Sequence, residues 1–292
     1  MKPRIPQSVG VAVHVGKPES RDHLGELLAF LSESKINVVL EQETAALVNR
    51  PNSAQSLTEI GKTADLIIVL GGDGTILRVA RELEGSATPI FGVNIGGLGF
   101  LTSVRAERLR DAVGEILRGE YEVSERQMLQ ATLVRDGQRM ETHHALNDVV
   151  ISRGAFSHVV RLHLAIDGEM LTEYVCDGMI FATATGSTAY SLSAGGPILV
   201  PTARALIITP ICPHALSNRS VIAGEGSTIR CQVAGAAGEL LLTVDGQVQL
   251  RMLVADGVEV RQSPRAVRLV TPRNHSYFRI LREKLKWSGA NV

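Results

Sequence analysis

Leu66-Ile67-Ile68-Val69-Leu70-Gly71-Gly72-Asp73-Gly74-Thr75 is an apolar run that breaks into a glycine turn with a carboxylate inside it. The β-leaning run, bounded by glycine, predicts a buried parallel strand; Ile76, Leu77, Val79, Ala80 and Leu83 recur behind the turn at helical spacing. The turn therefore joins a strand end to a helix start. Glycines without Cβ let backbone N–H groups come close to a phosphate, and a helix N-terminus adds partial positive charge there. Asp73 is the odd member. A carboxylate repels phosphate, so either it carries chemistry or metal binding at this place, or it serves an Asx turn or N-cap.

Working outward, strand-like runs at residues 9–15, 38–40 and 90–93 alternate with helical patterns such as Leu24, Leu27, Leu28 and Leu31. That alternation predicts βαβ units, hence an α/β N-terminal domain with an open parallel sheet. Its last helix carries Leu109, Ala112, Val113, Ile116 and Leu117 on one face and stops at Gly119, a good residue just past a helix end. From Tyr121 onward the chain reads as antiparallel β, with Asp-Gly turns at 136–137, 167–168, 245–246 and 256–257. Phe278, Leu281 and Leu285 then recur at helical spacing. The expected division is an α/β domain over 1–122, an all-β, sandwich-like domain over 123–272, and a helix over 273–292 packing back on the first domain.

Composition narrows the function. With 292 residues and 45% hydrophobic content the chain can bury a large core, and thirty basic residues cancel thirty acidic ones. A net charge of zero offers no field for nucleic acid or an anionic membrane, so small-molecule partners are expected. Cys176, Cys212 and Cys231 are odd in number, lack Cys-x-x-Cys spacing and match no zinc pattern; buried thiols in a reducing cytoplasm are expected. No apolar run approaches the ~18 to 20 residues of a membrane span. His143 and His144 are adjacent on a strand and point to opposite faces, which argues against a shared metal.

A second glycine-rich loop, Asn94-Ile95-Gly96-Gly97-Leu98-Gly99-Phe100-Leu101, follows the next strand. Ligands of open parallel sheets lie outside the carboxyl ends of the strands, where the two loops are expected to be neighbours framing one cleft. Neither has the Walker form or the first βα turn of a dinucleotide fingerprint. A third segment, Thr185-Gly186-Ser187-Thr188-Ala189-Tyr190-Ser191-Leu192-Ser193-Ala194-Gly195-Gly196-Pro197, is rich in hydroxyls and small residues with one tyrosine. It suits a ribose or adenine site, although chemistry alone slightly favours a capped Ser/Thr-rich turn.

Together with Asn147-Asp148, Pro213-His214-Ala215-Leu216-Ser217-Asn218-Arg219 and Asp245-Gly246-Gln247, these motifs closely resemble bacterial NAD kinase, from about residue 8 to the 281–285 end. The resemblance implies transfer of a phosphoryl group from ATP, with a divalent metal (Mg2+), to the 2′-hydroxyl of the adenosine ribose of NAD. It makes Asp73 the proton acceptor, with Gly71, Gly72 and Gly74 sharing the phosphate charge. By the same resemblance Asn147 and Asp148 hydrogen-bond NAD, and Asp177 meets its nicotinamide end, often across a subunit boundary. Thr188, Ala189, Tyr190, Ser191, Leu192 and Ser193 hold the adenosine side, with Tyr190 near the adenine. Arg78, Thr185 and Gln247 are further contact candidates, and no residue is assigned as a protein metal ligand. A homo-oligomer, dimer or tetramer, with a shared active site is implied, working in the cytoplasm without nucleic acid or membrane.

The chain departs from the family at several places. Val175 and His158 stand where relatives often carry a stronger base, although His158 can still donate a hydrogen bond to the dinucleotide. Cys212 stands where alanine is frequent, and Ala182 and Ala184 replace Ser and Pro. Two other classes share parts of the pattern. A lipid kinase of the diacylglycerol type has the 71–75 turn but gives the 185–197 block no role. A non-catalytic NAD-binding sensor uses that block without needing Asp73.

Overall fold

The structure, a computed structural model, describes residues 5–97, 99–154, 159–236, 238–273 and 276–287. It divides into two compact units, Met1–Glu125 with Val267–Val292 and Arg126–Ala266. The chain passes from one to the other within the strands Tyr121–Arg135 and Gly257–Pro272.

In the first unit, Leu66–Gly71 is completely buried and pairs in parallel with Ser8–Val13 on one side and Ile90–Asn94 on the other. Asn37–Glu41 and then Ala54–Gln55 extend the sheet beyond Ser8–Val13, also in parallel. Beyond Ile90–Asn94 the parallel partner is the end of Gly257–Pro272, through Leu269. Leu66, Ile68 and Leu70 share one core with Leu24, Leu27 and Leu31 of the helix Ser20–Glu33 and with Ala112, Val113 and Ile116 of Leu109–Leu117. The opposite face takes the helix Asp73–Glu82. There Gly92 leaves the room that Ile76 fills, since a Cβ on it would lie 2.4 Å from Ile76 Cδ1. The first strand is shorter than its hydrophobic run: it ends at Val13, and Ser20 Oγ closes the following turn by donating to the His14 carbonyl at 2.7 Å.

The C-terminal helix Tyr277–Leu285 belongs to this same unit. Its buried residues are Ile280 and Leu281, while Phe278 is exposed, so the inward face is rotated from the one that Phe278, Leu281 and Leu285 suggest. Lys284 lies over the Phe100 ring at 5.7 Å from its centroid, a cation–π contact on the second glycine-rich loop.

The second unit is antiparallel β. One six-stranded sheet runs Val221–Gly224, Ala205–Ile211, Gly178–Ala182, Asp148–Arg153, Leu240–Val244, Val248–Met252. Glu169–Cys176, Val160–Ile166, Ile229–Ala236 and the first half of Gly257–Pro272 form the other layer, and one apolar core draws on both. Ile229–Ala236 alternates buried Ile229, Cys231 and Val233 with exposed Arg230, Gln232 and Ala234, the period of a half-buried strand.

Asp136-Gly137 and Asp167-Gly168 both take left-handed backbone and close two-residue hairpins, and Asp245-Gly246 is left-handed at both residues too. The fourth Asp-Gly differs. Ala255 carries the positive φ, +75°, while Asp256 is buried, accepts the Leu253 N–H at 2.8 Å and forms a bidentate pair with Arg135 at 2.9 and 2.7 Å. All three cysteines are free thiols. Cys176 and Cys231 are buried and Cys212 is exposed, against the expectation that all are buried. His143 meets Glu141, and His144 Nδ1 lies 2.8 Å from Ser263 Oγ.

Candidate active site

In the first unit the two glycine-rich loops are locked together through Asp73. Gly72 is the N-cap of Asp73–Glu82, so Asp73 is the first helical residue, and its carboxylate reaches across to the other loop instead of capping its own helix. Oδ2 accepts the Phe100 N–H at 2.8 Å; Oδ1 accepts the Leu101 and Thr102 N–H groups at 3.0 and 3.3 Å. The approach requires glycine at position 99, where a Cβ would lie 2.0 Å from Asp73 Oδ1. Thr102 Oγ1 stiffens the same loop by accepting from Gly99 N and Asn94 Nδ2, both at 3.1 Å. Gly72 and Gly74 face open space. Thr75 Oγ1 is buried with no hydrogen-bond partner among the described residues.

Arg78, one turn further along the helix, is engaged rather than freely solvated. Its guanidinium lies 3.4 Å from the buried Glu41 carboxylate and 3.7 Å from Glu82. Glu41 in turn accepts from Thr44 N and Oγ1 at 3.0 and 2.8 Å, and Thr44 Oγ1 accepts the Val13 N–H at 2.9 Å. This network anchors the end of the first strand, from which Lys17 reaches back to donate to the Ile95 carbonyl.

In the second unit Asn147, Asp148, Ala189, Tyr190, Asp245 and Gly246 line a cavity of about 360 Å3. Asp245 builds it: its carboxylate accepts the N–H groups of Leu146, Asn147 and Asp148 at 2.8, 2.8 and 3.0 Å. Thr183 completes the wall, donating its N–H to the Asn147 carbonyl at 2.9 Å and its hydroxyl to the Leu146 carbonyl at 2.6 Å. Gly186 then packs directly on Asn147, and a Cβ there would sit 2.0 Å from the Asn147 carbonyl oxygen. Tyr190 opens the short helix Tyr190–Ser193, is exposed, and holds the Asp148 carboxylate through its N–H.

Burial, reinforced by the neighbouring Asp245 charge, pushes the Asp148 carboxyl up to about 7. An ordinary aspartate releases its proton near pH 4, so between about 4 and 7 the folded chain holds a proton that the unfolded chain has lost. Stability contributed by this group is therefore full below that window and falls as pH rises through it. Comparing the unfolding free energies of wild type and Asp148→Asn at pH 5 and pH 8 should show the wild type losing about 2 to 4 kcal/mol more over that interval. Parallel curves would remove Asp148 as the cause.

The other residues of interest in this unit are placed as follows. Asp177 forms a two-point pair with Arg153, with Nε to Oδ1 at 2.9 Å and Nη2 to Oδ2 at 3.3 Å. Ser191 is fully buried and its hydroxyl pairs with Thr209 Oγ1 at 3.0 Å, so it fixes the loop from inside. Thr185 is buried, with its carbonyl accepting from Thr188 Oγ1 at 3.3 Å. Leu192 is half-buried, and Ser193 and Gln247 are exposed. His158 lies outside the described residues. Two participants escaped the sequence reading: Lys17 follows a strand end and carries no motif, and Arg153 ends a strand. In sequence Asp245 is singled out within the Asp245-Gly246-Gln247 motif but given no role of its own.

A glycine turn, a helix N-terminus and a carboxylate at the carboxyl edge of a parallel sheet in one unit, and a cavity lined by Asn, Asp and Tyr in the other, are the features of a nucleotide phosphotransferase. The ATP-NAD kinase N-terminal domain matches residues 9–121 and the ATP-NAD kinase C-terminal domain matches residues 146–271. The chain belongs to the NAD kinase family. It is 39% identical to the NAD kinase of Desulforamulus reducens over 279 residues, 96% of this chain and 97% of that one. Against the NAD kinase of Geobacter metallireducens it is 40% identical over 281 residues, 96% and 99% of the two chains. Yeast NADH kinase, solved with NADH, superposes with a TM-score of 0.89 at 30% identity, covering 99% of this chain and 90% of that one. An NAD kinase from Archaeoglobus fulgidus, solved with ATP, gives 0.74 at 25% identity, covering 97% and 100%.

Proposed function

We propose that this protein transfers the γ-phosphoryl group of ATP to the 2′-hydroxyl of the adenosine ribose of NAD, making NADP and ADP. The observation that carries the reading is the Asp73 carboxylate, held by three backbone N–H groups at the mouth of the glycine turn. Oδ2 accepts one amide and Oδ1 two, which leaves Oδ2 a lone-pair site for a hydroxyl proton. As the 2′-oxygen bonds to the γ-phosphorus, its proton passes to Asp73 and the bond from that phosphorus to the β,γ-bridging oxygen breaks. A carboxylate is a weak base for a sugar hydroxyl. In a loose phosphoryl-transfer transition state positioning and charge neutralisation dominate, so a weak but fixed acceptor suffices. The Gly71, Gly72 and Gly74 backbone takes the phosphate charge at the helix N-terminus.

Asn147 and Asp148 hydrogen-bond the dinucleotide, Tyr190 lies against the adenine, and Thr188, Ala189, Leu192 and Ser193 shape the adenosine side. Asp177, aligned by Arg153, takes the nicotinamide end, with Thr185, Gln247, Arg78 and His158 as further contacts. Bound NADH in the yeast relative and bound ATP in the archaeal one support these two substrate classes. Among the described residues no three His, Cys, Asp or Glu side chains gather as a metal site. Magnesium is accordingly taken as part of the donor, MgATP, since it is commonly held through substrate phosphates with few protein ligands. Among the described residues no helix is long and apolar enough to cross a membrane. A cytoplasmic site of action belongs to the same kinase reading.

Incubation with NAD, ATP and magnesium, read by an NADP-specific dehydrogenase, tests the reaction. NADP formation at rates above about 1 per second is expected; tight NAD binding without turnover would make the protein a sensor instead.

Assembly into a dimer or tetramer through the β unit follows the same reading. Among the described residues the edge strand Glu169–Cys176 has a ladder partner on one side only, and it presents the apolar side chains of Met170 and Leu171 to solvent. Met170→Asp should yield a monomer on sedimentation with specific activity reduced at least tenfold; a fully active monomer would end the idea of a shared site.

A further inference from the structure

The first unit contains a cation that the dinucleotide-binding residues leave unexplained. Ser8–Val13 and Leu66–Gly71 lie side by side, while the helices after them, Ser20–Glu33 and Asp73–Glu82, pack on opposite faces of the sheet. The gap between these strands is therefore the switch point of the sheet, the place where open α/β sheets take ligands. Asp73 and the glycine turn follow one of the two strands, and His14-Val15-Gly16-Lys17 follows the other. The edges are tied: His14 N donates to Leu70 O at 2.8 Å and Ile95 N to Gly71 O at 3.3 Å. Lys17 bridges the same edge, with its half-buried ammonium on the Ile95 carbonyl. Gly96, at φ +126°, accommodates it, since a Cβ there would come 3.2 Å from Lys17 Nζ.

Charge makes this placement significant. An ATP phosphate chain brought to Asp73 needs positive charge beyond backbone dipoles. Arg78 is occupied by Glu41 and Glu82. Lys17 forms no ion pair among the described residues. An ammonium has three N–H groups, and one on the Ile95 carbonyl leaves two for a ligand.

We propose that Lys17 holds the phosphate chain of the nucleotide donor, its ammonium bridging the Ile95 carbonyl and a phosphoryl oxygen beside the 71–74 turn. The proposal rests on the kinase reading for the identity of the donor. Lys17 then does two jobs: it offsets the repulsion between Asp73 and the incoming phosphates, and it couples their arrival to the loop that orients the Asp73 carboxylate. The loop bearing Lys17 is thus part of the donor site, although no motif marks it.

The test uses Lys17→Met and Lys17→Arg in the full chain, with KM for ATP and for NAD, calorimetric titration with MgATP, and thermal unfolding. Loss of a charge-assisted contact is expected to weaken ATP, in KM and in Kd, by about 10- to 100-fold in Lys17→Met. The NAD KM and the unfolding midpoint should stay near wild type, and Lys17→Arg should recover most of the ATP affinity. Unchanged ATP affinity in Lys17→Met would overturn the proposal. So would equal losses for ATP and NAD with a lowered midpoint, which would make Lys17 a loop clamp only. Should wild type make no NADP, the titration still decides: weaker MgATP binding in Lys17→Met upholds the site while the kinase reading fails.

Discussion

Replacing Asp73 by Asn is expected to lower kcat for NADP formation by about 10²- to 10⁴-fold, the range for removing a positioned proton acceptor. KM for NAD should move less than about threefold, because the cavity proposed for the dinucleotide is lined by residues of the other unit. Asn keeps one carbonyl oxygen, which can still accept from Leu101 and Thr102, but it turns an N–H₂ toward the Phe100 N–H. That donor–donor contact loosens the second loop at a cost of about 1 to 3 kcal/mol. Two readouts separate chemistry from architecture: steady-state kinetics with NAD varied, and thermal unfolding. A kcat within threefold of wild type would remove Asp73 from the reaction.

Gly186→Ala should have the largest effect on the second unit. The added methyl would lie 2.0 Å from the Asn147 carbonyl oxygen and 2.5 Å from its carbon, and backbone cannot rotate away as a side chain can. Either the 183–190 loop or the 146–148 segment must shift. The shift strains the Thr183-to-Asn147 hydrogen bond and the amides held by Asp245. Overpacking of this kind costs about 1 to 3 kcal/mol, and the strained hydrogen bonds add to it. NAD affinity should fall more than about tenfold while MgATP binding is retained. Wild-type NAD binding in this variant would show that the wall formed by Asn147 and Asp148 is not the dinucleotide site.

Much of the architecture was legible because its signals are local. The 66–70 run, the glycine turn behind it and the periodic Ile76, Leu77, Val79 and Ala80 appear as strand, turn and helix where periodicity places them. The Asp136-Gly137 and Asp167-Gly168 hairpins were readable for the same reason: left-handed backbone at two successive residues selects Asp-Gly. Local signals misled where packing overrode them. Asp256-Gly257 carries the same dipeptide, yet Arg135, 121 residues away, draws Asp256 inward. Phe278 has the right spacing for a buried face, but Ile280 and Leu281 occupy it.

The sequence by itself determined the alternation of strands and helices in the first half, the strand-and-turn character of the second, and which family the motifs belong to. All follow from short-range spacing, which backbone sterics and the periods of helix and strand turn directly into local structure. Only the tertiary structure decided what each carboxylate does. Asp73 reads as a helix-start residue but spends its oxygens on amides 27 to 29 positions away, and Asp245 reads as a turn residue but organises amides 97 to 99 positions away. Lys17, with no motif, meets a carbonyl 78 positions distant. Such partners are set by strand order and register, which bring together groups that no local spacing relates.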